Sequence, residues 1–222
     1  MSEQEGMILL KLKHPNIVKC YGFYYEKDKI IILIEYIEGG DLFNKIENQK
    51  NKNEYFKEEE IIDWFIEICE GIKYIHSNNI IHRDLKPQNI FFNKDNHIKI
   101  GDFSISKQLI NTKKANTRLG SENYIPEIIS NQSYDYRIDI WNLGIILYEL
   151  TQLKHPFHDN GNNNEEIKNN IKYEDFSNKN YSDKLLSLIK ILLKNNSNER
   201  LDINQILFKC YLILFKINSE SK

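Results

Sequence analysis

The sequence predicts an α+β fold in which a small N-terminal unit of one helix and two strands precedes a larger, mainly helical unit. Three observations carry that prediction. Residues 56–77 set Ile61, Phe65, Ile68, Ile72 and Ile75 at helical spacing along one apolar stripe. Residues 17–25 and 29–36 are two strand-like runs joined by the polar turn Glu26-Lys27-Asp28. Residues 90–92 and 97–100 are two shorter apolar runs around a polar turn at 93–96, which reads as a hairpin.

The remaining elements follow in order. Residues 2–13 read as a helix, with Met7, Ile8, Leu10 and Leu12 around Leu9. Glu3 and Glu5 fall in its first turn, where the helix dipole favours acids, and His14-Pro15-Asn16 stops it. Lys57-Glu58-Glu59-Glu60 reads as the solvated first turn of the long helix. The Asn-rich stretch from Asp159 is a loop, and residues 181–193 and 201–210 are amphipathic helices. The tail after Tyr211 has apolar residues but no motif. The expected organisation is a small unit over 1–37, a large one over 38–212 and a tail over 213–222.

A length of 222 residues with 41% hydrophobic content suits one globular unit, or one large lobe plus part of another. The formal charge of -2 gives no bulk reason to invoke nucleic acid or an anionic membrane. Cys20, Cys69 and Cys210 are scattered and lack metal spacing, which points to reduced thiols and a cytoplasmic setting. No apolar run reaches membrane length, and the N-terminus carries no signal-peptide pattern.

The chemistry concentrates at the ends of the second hairpin. Asp84, Lys86 and Asn89 precede residues 90–92, and Asp102 follows residues 97–100. A hairpin brings those ends to one edge, where two acids, an amide and an ammonium converge. Hard cations take oxygen ligands, so Asn89 and Asp102 suit a nucleotide-bound Mg2+. Asp84 is then placed to orient a hydroxyl and accept its proton, and Lys86 to balance charge on a transferred group.

His82-Arg83-Asp84-Leu85-Lys86-Pro87-Gln88-Asn89 resembles the catalytic loop of eukaryotic protein kinases, and Asp102-Phe103-Ser104 resembles their metal-binding triplet. Lys86 is similar to the Ser/Thr-directed members, and Leu150-Thr151-Gln152-Leu153-Lys154-His155-Pro156-Phe157 resembles the NIMA-related group. The resemblance implies a kinase-like fold, ATP with Mg2+, and phosphoryl transfer to protein Ser/Thr hydroxyls. It implies Asp84 as the base, Lys86 at the γ-phosphate, and Asn89 with Asp102 at the metal. Glu5 takes the place of the acid that pairs with an ATP-positioning lysine. Backbone groups of Glu35 and Ile37 would meet the adenine edge, with Ile34 guarding the pocket and Phe91 flooring it. Leu9, Cys20, His82 and Phe103 match a hydrophobic column between lobes. Arg83 and Lys107 sit where they would clamp a phosphate on Thr117, and Ser121 stands where a threonine bonds the base and Lys86. Glu127 would pair with Arg200, and Asp139 would brace the catalytic loop.

Four departures qualify the resemblance. No Gly-x-Gly-x-x-Gly or Val-Ala-Ile-Lys stretch occurs, and Met1-Ser2-Glu3-Gln4 alone precede Glu5. Ser104 replaces a glycine, an alanine is missing before Pro126, and Gln88 stands where some kinases place an acid that selects basic peptides. The expectation is a small lobe lacking its first strands, and weak activity from these residues alone. A non-catalytic interaction module is the competing expectation. Oligomeric state is not legible.

Overall fold

A computed structural model describes residues 3–27, 29–104, 106–108, 135–156, 176 and 180–220. The architecture is α+β, with helices dominating and the strands confined to two-stranded sheets among the described residues.

Helix α1, Glu3–Lys11, opens the chain with Glu3 and Glu5 in its first turn. The expected cluster around Leu9 resolves into a narrower face. Ile8, Leu9 and Leu12 are buried with Glu5, whereas Met7 and Leu10 stay exposed. Spacing of i, i+3, i+4 and i+7 admits positions 5, 8, 9 and 12 to one face and turns the others outward.

Strands β1, Cys20–Glu26, and β2, Lys29–Ile34, form an antiparallel hairpin closed by the Glu26–Lys29 pair. The first starts later than its composition predicts because the preceding residues pair elsewhere. Val18 N–H donates to the Ile100 carbonyl at 2.9 Å, and Ile100 N–H to the Asn16 carbonyl at 2.8 Å. Residues 16–18 thereby stitch the N-terminal unit to the second hairpin.

Helix α2, Leu42–Lys52, is capped by Asp41, whose carboxylate accepts the Asn44 N–H at 2.8 Å. Gly39 and Gly40 moor its approach: Gly39 N–H reaches the Phe92 carbonyl at 2.8 Å, and Phe92 N–H the Gly40 carbonyl at 2.9 Å. A Cβ on Gly39 would land on the Phe92 carbonyl oxygen, and Gly40 has a φ of +73°, so both positions need glycine.

Helix α3, Glu58–Ser77, inserts Ile61, Phe65, Ile68, Ile72 and Ile75 fully into the core, as its stripe predicts. Strand β3, Ile80–Ile81, leads into the loop ahead of β4, Ile90–Phe92. Strand β5, Ile98–Ile100, pairs with β4, and β6, Lys107–Gln108, pairs with β3. Helix α4, Arg137–Gln152, is buried on nearly every side. An all-round apolar helix belongs at the centre of a domain. Gly144 lets α5, Asp183–Leu192, pack against it, since a Cβ there would meet Leu192 and Leu193 at 2.8 Å.

Helix α6, Ile203–Glu220, runs on through the expected 212/213 boundary. Ile206, Cys210 and Ile213 are buried along it, with Ile217 packed against the core. These positions continue one apolar stripe, so the helix has no reason to stop at residue 210. Among the described residues no helix is long and apolar enough to cross a membrane.

Candidate active site

The loop between β3 and β4 is fixed from below by one buried carboxylate. Asp139, at the start of α4, is fully buried. Its Oδ2 accepts the His82 N–H at 3.0 Å and Oδ1 the Arg83 N–H at 2.9 Å. His76 Nε2 lies 2.8 Å from Oδ2. Burial alone would raise the Asp139 pKa, but the His76 bond and charge, with His82 and the Arg83 N–H, outweigh it and hold the pKa below its ordinary value. The anion locks Arg83 at φ 71°, a left-handed angle unfavourable for a long side chain.

Three predicted site residues meet directly above this brace. Lys86 Nζ donates to Asp84 Oδ2 at 2.7 Å. Asn89 Nδ2 donates to the Asp84 carbonyl at 2.7 Å and to Asp84 Oδ2 at 3.1 Å. The loop ends in a 3-10 turn, Pro87–Asn89, that feeds β4. The β4–β5 register then places Asp102 next to this group, because Gly101 N–H donates to the Asn89 carbonyl at 2.9 Å. Asp102 has a φ of 58° and is exposed, and among the described residues its Oδ1 accepts only its own turn's Ser104 N–H, at 3.3 Å. Asn89 commits its amide N–H groups inward, which leaves its carbonyl oxygen as a donor atom. That oxygen and the Asp102 carboxylate form a hard donor set of the kind Mg2+ takes. Among the described residues no group of three or more His, Cys, Asp or Glu is placed to hold a metal ion.

His82 is fully buried, and its ring lies tilted at 60° against Phe103 with centroids 4.8 Å apart. Burial drives its pKa down, so the neutral ring donates from Nε2 to the Gly101 carbonyl at 3.0 Å. Leu9 is buried too, while Cys20 is only partly covered. Ser104, where the family has glycine, does not take a left-handed angle; in this turn that angle belongs to Asp102.

The remaining residues lie around this centre. Glu35 is tied by its Oε1 to Lys99 Nζ at 2.8 Å and to the Lys19 N–H at 2.7 Å. Its own N–H donates to the Lys19 carbonyl at 2.8 Å. Phe91 is half-buried beside Gly101, where a Cβ would sit 2.9 Å from its ring. Ile34 ends β2 about half exposed, and Ile37 is half-buried. Glu5 points into the core side of α1. Arg200 is buried, donating to the carbonyls of Lys194 at 2.8 Å, Arg137 at 2.9 Å and Asn195 at 3.2 Å, and lies over the Trp141 ring. The backbone of Lys107 pairs with Ile81. Thr117, Ser121 and Glu127 lie outside the described residues.

Two contributors escape a reading by sequence. His76 carries no motif, and only the fold sets it on Asp139. Glu149 opens onto a cavity of about 190 Å³ lined also by Asp84, Lys86, Gln88, Asn142 and His155. Burial first, and then the Glu47 charge, push its pKa up to about 7. Its sequence signal is faint: an acid inside the otherwise apolar run of α4.

A family profile described as "Protein kinase domain" matches residues 2–212. The chain is 40% identical over 215 residues to mouse "Serine/threonine-protein kinase Nek1", covering 95% of this chain and 18% of that relative. It is 40% identical over 216 residues to human "Serine/threonine-protein kinase Nek5", covering 95% and 30%. With the Dictyostelium discoideum "Probable serine/threonine-protein kinase nek1" it shares 36% over 231 residues, covering 94% and 47%. The chain thus spans less than half the length of these relatives. A braced loop with Asp84, Lys86 and Asn89 in contact, in a chain so matched, belongs to the protein kinase domain family.

Proposed function

We propose that these residues form the catalytic unit of a Ser/Thr protein kinase, transferring the γ-phosphoryl group of ATP to a protein Ser or Thr hydroxyl. The observation that carries the reading is the Asp84–Lys86–Asn89 contact held by Asp139. The acceptor oxygen bonds to the γ-phosphorus while the bond to the β,γ-bridging oxygen breaks, and ADP leaves. Asp84 orients the acceptor hydroxyl and takes its proton. Lys86, already against Asp84, carries its positive charge to the transferred group. Asn89 and Asp102 would hold Mg2+, which supplies positive charge to the phosphate oxygens.

The Glu35 carbonyl and the Ile37 N–H make no hydrogen bond among the described residues, which supports a role at the adenine edge, with Ile34 and Phe91 beside it. Glu5, Leu9 and Phe103 would couple α1 to the site. Arg83 and Lys107 would receive a phosphate on Thr117, with Ser121 near the base and Glu127 on Arg200. The reading implies a protein substrate and a cytoplasmic setting. It divides the chain at residues 37 and 38 into a small and a large lobe.

The test is phosphoryl transfer to a mixed protein substrate with Mg-ATP. Asp84→Asn is expected to lower kcat by about 10²–10⁴-fold, the range for losing a general base. Asp102→Asn is expected to abolish the Mg-dependent rise in Tm with nucleotide. Transfer that survives Asp84→Asn unchanged would sink the proposal.

A further inference from the structure

Helix α6 is apolar on two faces, and only one is covered. Ile206, Cys210 and Ile213 face the core. On the other side Phe208, Tyr211, Leu212 and Phe215 are 65%, 48%, 47% and 74% exposed. Their i, i+3, i+4, i+7 spacing makes one continuous stripe about 10 Å long. Scattered exposed apolar side chains need no explanation, but four in register on one helix do.

The stripe borders a groove of about 890 Å³ between the end of α2, the N-terminal half of α3 and the β4–β5 turn. Tyr211 belongs to both, lining the groove and donating its hydroxyl to Glu70 Oε1 at 3.2 Å. Glu54, Glu59, Glu60, Asp63, Glu67 and Asp95 line the groove, faced by Lys57 and by His97. His97 is already engaged, its Nδ1 2.7 Å from Glu67 Oε1. The helix dipole explains acids in the first turn of α3, but Glu59, Asp63 and Glu67 extend beyond it at four-residue intervals. Like charges at that spacing destabilise a helix. Burial, then Glu59 and Glu67, raise the Asp63 pKa. Neither the Glu59 nor the Asp63 side chain has a hydrogen bond or ion pair among the described residues. An opposite charge from outside would offset that repulsion.

We propose that this stripe and the groove beside it dock a basic amphipathic helix of a partner protein. Its apolar face lies on Phe208, Tyr211, Leu212 and Phe215, and its Lys/Arg flank lies over Glu59 and Asp63. The mode is helix against an apolar surface, with charge fixing register and partner choice. It does not depend on phosphoryl transfer, because it uses none of the residues placed in the active site.

The test uses the full chain and a labelled synthetic helix with leucines at i, i+3, i+4 and i+7 and lysines along one flank, read by fluorescence anisotropy at physiological salt. Binding is expected, with a Glu-for-Lys analogue at least about tenfold weaker. Phe208→Ser with Phe215→Ser should cost a similar factor, and Glu59→Gln with Asp63→Asn should weaken binding and flatten its salt dependence. Both pairs lie at the surface, and unchanged circular dichroism would show that the fold persists. No binding of the lysine helix would overturn the proposal. Equal binding of a shuffled peptide of the same composition would too, since that is charge attraction alone. So would a concentration-dependent dimer abolished by Phe215→Ser, which would assign the stripe to a second copy.

Discussion

Asp139 and Glu149 stand on the same helix and are buried to opposite effect. Asp139 meets three donors and stays charged, whereas Glu149 is buried beside a cavity with the Glu47 charge against it and resists ionisation. Replacing Asp139 by Asn turns an acceptor into a donor facing donors. Asp139→Asn is expected to lower stability by about 2–4 kcal/mol, read by urea unfolding, and to slow phosphoryl transfer. Because its folded pKa is depressed, the Asp139 contribution is present above the ordinary carboxyl range and is lost as pH falls through the lower folded value. The asparagine variant should therefore show a flatter acid limb. Glu149 has the opposite sign. Its folded pKa is raised to about 7, so stability present below the ordinary carboxyl value is lost as pH rises through about 7. Glu149→Gln should leave Tm nearly unchanged at pH 5 and raise it at pH 8.5, by up to about 3 kcal/mol in stability. An equal Tm gain at both values would refute burial as the cause.

Among elements, α6 shows how an apolar stripe sets a boundary. Ile213 is buried beyond the 201–210 run over which the sequence predicts an amphipathic helix. Ile213→Asp should cost about 3 kcal/mol or more and release the end of the helix, measurable as lost amide protection over 211–220. A milder case is Ser182, whose Oγ caps α5 through the Leu185 N–H at 3.3 Å and meets Glu58 on α3. Ser182→Ala is expected to cost about 1 kcal/mol, in the range of a lost N-cap, by thermal unfolding.

At the scale of the molecule, stability is distributed unevenly. Helices α3 and α4 are deeply buried, whereas β1 and β2 pair only with each other among the described residues and bury no residue fully. Two strands alone are marginal in water. Native-state hydrogen exchange should therefore find residues 20–34 opening at a lower free energy than 58–77 and 138–151. Exchange in the hairpin as slow as in α3 would show that the residue 16–18 stitch to β5 holds it more firmly than its burial suggests.

By itself, the sequence determined what short-range chemistry can encode. Apolar periodicity gave α3, the polar turn at 93–96 gave the β4–β5 hairpin, and the loop from His82 to Asn89 announced its chemistry by residue type and spacing. Tertiary structure alone decided the rest, because burial and long-range pairing leave no local pattern. It set His76 on Asp139 across 63 positions, drew residues 16–18 away from β1 onto β5, and put a left-handed angle at Asp102. It also left one face of α6 bare beside a row of acids, although the apolar pattern of that helix reads the same on its covered side.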